Sequence, residues 1–279
     1  MRIKSAFFVV LCVLVALSDF SGSAQVAALK SRSGHPLIIA HRGGAKESTE
    51  NTILTFQRAI RIGADGIETD IRLTKDGIVI IYHDDKWGRV EGGVVGDRLI
   101  SDMPFSEIAS HNLSPVGDDR GGRRVPTLTE ALKALDHGLL NIELKSCARF
   151  DELVDKTIDT MRNFKDIDRV VLEAPDLKTS RKLREALGPN LKLHINPGYN
   201  RDATYEDSLA EVLKFKPHSI SVSYKKLSYD IVDQAHKAGV EVWVWTVDSP
   251  EIAQAMTLLG VDAIKTDVPS TMLKLLKRP

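Results

Sequence analysis

Between Pro36 and Lys265 the chain alternates short apolar runs with longer amphipathic stretches, and this alternation limits the fold more than any other feature. The apolar runs read as strands at Pro36–Ala40, Gly66–Leu73, Ile78–Tyr82, Leu139–Leu144, Arg169–Leu172, Leu191–Ile195, Ser219–Val222, Val240–Trp245 and Ala263–Lys265. The amphipathic stretches read as helices at Thr52–Ile62, Leu128–Leu135, Asp151–Phe164, Leu177–Leu187, Tyr205–Phe215, Tyr229–Ala238 and Pro250–Leu259. Gly63, Gly188, Gly239 and Gly260 stand just past helix ends, where a left-handed cap is wanted. Strand and helix in turn imply βα units around a parallel sheet.

Nine strands are one too many for an eightfold ring. The gap Thr74-Lys75-Asp76-Gly77 is too short for a parallel crossover, which needs roughly a dozen residues. Ile78–Tyr82 is therefore the return arm of a hairpin turning on Asp76-Gly77. The expected fold is a closed (β/α)8 TIM barrel, with an open doubly wound sheet as the structural alternative. Gly92–Arg124, rich in Gly, Asp and Arg and without periodicity, reads as a short insertion after the hairpin, passing over one mouth of the barrel.

The first 24 of the 279 residues read as a signal peptide: Arg2 and Lys4, the apolar run Ala6–Leu17, and Gly22-Ser23-Ala24 before Gln25. Such a run is too short to span a bilayer, which takes about 20 residues. The expected product is exported, periplasmic or secreted, with one barrel domain over residues 25–279 and no stable membrane span. Cys147 is then the single cysteine, so no internal disulfide forms. Basic and acidic residues balance at 38 each, and loss of Arg2, Lys4 and Asp19 with the leader leaves one net negative charge. That argues against nucleic acid as a partner. Aromatics at 6% argue against a base-stacking surface. Oligomeric state is not legible.

In such a barrel the chemistry gathers at the C-terminal strand ends. Those ends carry His41-Arg42, then Glu68 and Asp70, then His83-Asp84 on the hairpin arm, Glu143 and Lys145, Trp245, and Lys265. Residues two apart on a strand share a face, so Glu68 and Asp70 point together, as do Glu143 and Lys145. A turn centred on Asp76-Gly77 places Asp70 opposite His83. Three converging carboxylates, Glu68, Asp70 and Glu143, repel unless a proton or a cation intervenes. Oxygen ligands select a hard divalent ion, Ca²⁺ or Mg²⁺. His41 and His83 suit acid/base work in opposite roles, one removing a proton and one supplying it. Arg42 and Lys145 match a phosphate-type anion. These parts together serve phosphodiester cleavage.

His41-Arg42-Gly43, Glu50-Asn51-Thr52, Gly63-Ala64-Asp65-Gly66-Ile67-Glu68-Thr69-Asp70, Thr74-Lys75-Asp76-Gly77 and His83-Asp84 resemble the glycerophosphodiester phosphodiesterase family. Asn141-Ile142-Glu143-Leu144-Lys145, Trp245-Thr246-Val247-Asp248 and Gly260-Val261-Asp262-Ala263-Ile264-Lys265-Thr266-Asp267 continue the likeness in order, covering about Leu37 to Pro269. The resemblance implies a small-molecule glycerophosphodiester substrate, hydrolysed with a divalent ion to sn-glycerol 3-phosphate and an alcohol. It implies acid/base roles for His41 and His83, metal ligation by Glu68, Asp70 and Glu143, and phosphate contact by Arg42 and Lys145.

The departures are Thr49 where the family usually has proline, Lys86-Trp87-Gly88-Arg89 where it commonly runs Thr-Leu-Asp-Arg, and Glu173-Ala174-Pro175 where serines and phenylalanine are common. All are read as rim changes bearing on the alcohol rather than the reaction. Plainer roles stand beside these: Glu68, Asp70 and Glu143 pairing with Arg42, Arg72 or Lys145; Trp245 filling the barrel or walling the glycerol moiety; Lys265 adding charge at the pocket mouth; His194 as a structural or rim residue; Asn51 capping the first helix. A lysophospholipid substrate and a noncatalytic phosphoester-binding protein are the alternative functions. A polar Gly92–Arg124 speaks against the first, and the presence of both histidines against the second. Attack by a neighbouring hydroxyl and attack by water both fit the layout.

Overall fold

The computed structural model describes residues 35–92, 96–114, 123–200 and 202–276. The expected leader, with its cleavage point before Gln25, lies outside these residues, as does part of Gly92–Arg124.

Strand β1 (Leu37–Ala40) leads through helix α1 (Ile53–Arg61) to β2 (Gly66–Leu73), which folds back as the short arm β3 (Val79–Ile81). The small helices α2 (Arg89–Gly92) and α3 (Phe105–Ala109) follow, then α4 (Leu128–Ala134), β4 (Leu139–Leu144), α5 (Phe150–Arg162), β5 (Val170–Ala174) and α6 (Leu177–Leu187). The rest runs β6 (Lys192–Ile195), α7 (Tyr205–Phe215), β7 (Ser219–Ser223), α8 (Tyr229–Lys237), β8 (Glu241–Trp245), α9 (Pro250–Leu259), β9 (Ala263–Thr266) and α10 (Pro269–Leu275). Parallel pairing passes from β1 through β9, β8, β7, β6, β5 and β4 to β2, and β2 pairs with β1 again. The ring closes as the expected (β/α)8 barrel.

Strand parity explains the two layers of core. Ile39, Val171, Trp243 and Ala263 point inward and plug the barrel. Their outward neighbours pack beneath the helices, which is why every residue of β2 is buried. On α5, Leu153, Val154, Thr157, Ile158 and Met161 form the buried stripe at helical spacing. Truncating Leu153, fully buried, costs about 2–5 kcal/mol. Side-chain caps start the helices: Thr52 on α1, a reciprocal Thr127–Glu130 box on α4, Asp176 on α6 and Ser249 ahead of Pro250 on α9.

The hairpin differs from expectation by one residue. Ile71 faces Ile81 and Arg72 faces Ile80. Thr74 N–H donates to Ile78 O at 3.0 Å and Gly77 N–H to Thr74 O at 3.1 Å, so the loop is Lys75-Asp76-Gly77 rather than Asp76-Gly77 alone. Gly77 takes φ +77°, the left-handed position that a three-residue loop needs. The longer loop shifts the register, and Tyr82, not His83, lies opposite Asp70, its N–H donating to Asp70 O at 3.0 Å.

The described part of Gly92–Arg124 has a core of its own. Ile100, Met103, Ile108 and Leu113 pack with Trp87 and Val125 on its two flanks and with Ile80 and Tyr82 from the hairpin. Tyr82 and Trp87 stack with ring centroids 5.4 Å apart.

Candidate active site

Strand β1 ends in a tight turn, His41–Gly43, in which Arg42 takes φ +51° and Gly43 φ +84°. A Cβ on Gly43 would lie 2.3 Å from Thr55 Cγ2, so only glycine fits there. Left-handed geometry at Arg42 costs about 1–2 kcal/mol. It turns the Arg42 N–H onto Glu68 Oε2 at 2.9 Å. The Arg42 guanidinium donates to Glu50 Oε1 at 3.1 Å, and its Nε lies 3.6 Å from Asp70 Oδ2. That Nε is buried with no hydrogen-bond partner among the described residues. Such a donor is suited to an anion.

Glu68 and Asp70 are each 1% exposed inside the barrel on β2, and Asp70 neighbours Glu143 on β4 in the ladder. One oxygen from each of Glu68, Asp70 and Glu143 comes within 4.8 Å of the others. Lys145 Nζ lies 2.8 Å from Glu143 Oε1 and 3.5 Å from Asp70 Oδ1, so the plainer ion-pairing role also holds. Asn51 does not cap α1, because Thr52 does. Asn51 instead sits at φ +58°, donates to Asp70 Oδ2 at 3.1 Å and accepts from Thr69 Oγ1 at 2.8 Å.

The two histidines flank this group in matching fashion. His41 Nδ1 lies 2.7 Å from Asp267 Oδ1, and its Nε2 is 3.8 Å from Glu68 Oε2. His83 Nδ1 lies 2.7 Å from Asp84 Oδ1. Behind them, Arg89 donates to Asp84 and to both oxygens of Glu50. The backing role of Asp267 and Asp84 was not read from the sequence, although both stand in the quoted motifs. A ring nitrogen's partner emerges only once the barrel closes.

Charge balance follows from this geometry. Burial opposes protonation of His41, but Glu68 and Asp267 outweigh it and raise its pKa. Burial lowers that of His83, against the pull of Asp70. Burial and the nearby Asp70 push Glu68 up, whereas Asp70 is held down despite its burial by Lys145, His83 and Arg42. Glu143 is pushed up to about 7 by burial and by Glu173 and Asp70. Two of the three carboxyls thus sit in protein that disfavours their charge, and the donor set is all oxygen. A hard divalent cation fits that set.

Trp245 lies at the end of β8, half-buried and in the same inward alternation as buried Trp243. The readings for Lys265 and Glu173 need correction. Lys265 is 3% exposed, not at the mouth, and its Nζ is 2.7 Å from Glu173 Oε2. Glu173 is likewise inside the barrel rather than at the rim, and His194 is fully buried with Nδ1 2.7 Å from Ser219 Oγ. Together they form a buried polar layer against the candidate site: Lys265 is in register with Ile39, below His41, and Glu173 is in register with Glu143.

The glycerophosphoryl diester phosphodiesterase family model matches residues 41–271. The chain belongs to this family. It is accordingly a phosphodiesterase, and the match runs from His41 past Asp267. A glycerophosphodiester phosphodiesterase of Caldanaerobacter subterraneus is 32% identical over 250 residues, spanning 87% of this chain and 98% of that protein. A human lysophospholipase D is 26% identical over 271 residues, 84% of each chain. Among solved structures, an Oleispira antarctica phosphodiesterase in complex with the product sn-glycerol-3-phosphate superposes with TM-score 0.75 at 23% identity, covering 88% of this chain and 98% of that one. At that identity the superposition speaks for the family's barrel alone.

Proposed function

We propose that this phosphodiesterase hydrolyses glycerophosphodiesters to sn-glycerol 3-phosphate and an alcohol, with His41 and His83 as acid/base pair. One observation carries the reading: three carboxylates gather between two imidazoles, each tied through Nδ1 to an aspartate. With Asp267 and Asp84 holding the Nδ1 protons, both Nε2 atoms are left for proton transfer. One takes a proton from the attacking hydroxyl or water, and the other gives one to the departing alkoxide.

Glu68, Asp70 and Glu143 would hold one divalent ion, Ca²⁺ or Mg²⁺. A bound ion of this kind polarises a phosphoryl oxygen. Arg42, whose buried Nε has no hydrogen-bond partner among the described residues, and Lys145 hold the remaining phosphate oxygens. Trp245 walls the glycerol moiety, with an apolar face toward its carbons. The 32% identical glycerophosphodiester phosphodiesterase of Caldanaerobacter subterraneus supports the substrate class.

Export with cleavage before Gln25 belongs to this proposal. Among the described residues no helix is long and apolar enough to cross a membrane.

The test is an assay of purified protein on glycerophosphocholine, glycerophosphoethanolamine, glycerophosphoglycerol and a lysolipid, with chelator and with added Ca²⁺ or Mg²⁺. Glycerol 3-phosphate release that chelation stops, and that His41→Ala and His83→Ala each abolish, is the expected result. Turnover indifferent to chelator would reject the metal set.

A further inference from the structure

We propose that Arg89 is a positioning residue, a clasp that fixes both the imidazole of His83 and the guanidinium of Arg42 from one point outside the site. The inference rests on the acid/base reading of His83 and the phosphate reading of Arg42. Arg89 Nε donates to Asp84 Oδ2 at 2.5 Å, and Asp84 in turn holds His83 Nδ1 at 2.7 Å. The other end of the same guanidinium donates to Glu50 at 3.0 and 2.6 Å, and Glu50 accepts from Arg42 at 3.1 Å. Glu50 is 9% exposed, so this carboxylate is committed between two arginines. Only a planar fork with five donors can serve two carboxylates at fixed angles, and a lysine ammonium cannot.

The clasp is anchored from behind. Arg89 opens α2, just after Trp87, whose ring stacks on Tyr82 and packs near His111, 5.5 Å between centroids. The segment after the hairpin therefore ties its own small core to two groups of the site.

The experiment is steady-state kinetics on glycerophosphocholine with the full chain saturated in Ca²⁺ or Mg²⁺, beside thermal melts. Asp84→Asn is expected to lower kcat about tenfold with little change in KM, and Glu50→Gln to raise KM about tenfold with little change in kcat. Arg89→Ala should do both. Added to either single variant, it should produce no further loss in the constant already affected. Arg89→Lys should recover the melting temperature but neither constant, which separates positioning from charge balance. Constants within twofold of wild type in Arg89→Ala would overturn the clasp, as would losses that multiply fully with those of Asp84→Asn and Glu50→Gln. His83→Ala and Arg42→Ala are measured alongside. Wild-type kcat in His83→Ala would defeat the acid/base reading itself, and the clasp would then be decided on KM through Glu50→Gln.

Discussion

Asp267, placed just after the last barrel strand, lies 2.7 Å from Nδ1 of His41 at the end of the first. Asp267 is itself fixed, its N–H donating to Asp248 Oδ1 at 2.8 Å. Replacing Asp267 with Asn keeps the shape but permits the wrong imidazole tautomer. The expected outcome is a kcat loss of roughly 10²-fold with KM nearly unchanged, measured on glycerophosphocholine with His41→Ala as the floor. Full turnover in Asp267→Asn would mean that His41 is not oriented this way.

Cation affinity should depend on pH with a defined sign. Glu143, raised to about 7 chiefly by burial, must lose its proton to serve as a ligand. Binding of Ca²⁺ or Mg²⁺ is therefore expected to weaken below pH 7, by up to about tenfold per unit, and to level off above it. Calorimetric titrations at pH 5.5, 6.5 and 7.5 check this. Glu143→Gln should bind at least about tenfold more weakly and with a shallower pH dependence, the remainder coming from Glu68, which burial also pushes up. A flat affinity profile in the wild type would contradict the assignment.

Against the site, the Lys265–Glu173 pair is buried, so removing one partner strands a charge. Lys265→Met and Glu173→Gln should each cost about 3–5 kcal/mol in urea unfolding, and the double variant should regain most of that. Additive losses in the double variant would show that the two residues contribute separately.

His194 supplies an acid-sensitive element of stability. Burial lowers its pKa to about 3, whereas the unfolded chain takes up the proton near 6.5. Between those values the unfolded state binds more protons, so this contribution is intact above pH 6.5 and lost as pH falls toward 3. Glu143 works in the opposite direction over pH 4.5–7, so the contribution is read as a difference. The stability gap between wild type and His194→Gln should shrink on acidification, by about 1.4 kcal/mol per pH unit at most. A gap that stays constant from pH 7 to 4.5 would remove His194 as the source.

Trp245 is half-buried at the strand end, and if it walls the substrate its loss belongs in binding. Trp245→Ala is expected to raise KM several-fold, roughly 3- to 10-fold, at nearly constant kcat. A fall in kcat alone would place the ring in barrel packing.

Much of this was legible because strand parity and strand ends depend on local patterning alone. The segments Leu177–Leu187, Tyr205–Phe215 and Pro250–Leu259 form helices with the expected bounds. Parity correctly turned Glu68, Asp70 and Glu143 inward together. Depth is another matter. Lys265 and Asp267 share a parity, yet Lys265 is sealed below the site and Asp267 is in it, because strand tilt and register set height and neither is written locally. The hairpin shows the same limit: one residue in the Lys75-Asp76-Gly77 loop moved every partner across from β2. Arg89 and Glu50, 39 residues apart, meet only through tertiary packing.

His41 and Asp267 stand 226 residues apart and touch across the seam where the ring closes. A growing polypeptide carries the first long before it carries the second. On the acid/base reading, His41 therefore waits for Asp267 to be made, and no amino-terminal fragment that stops short of Asp267 can hold the imidazole in this way.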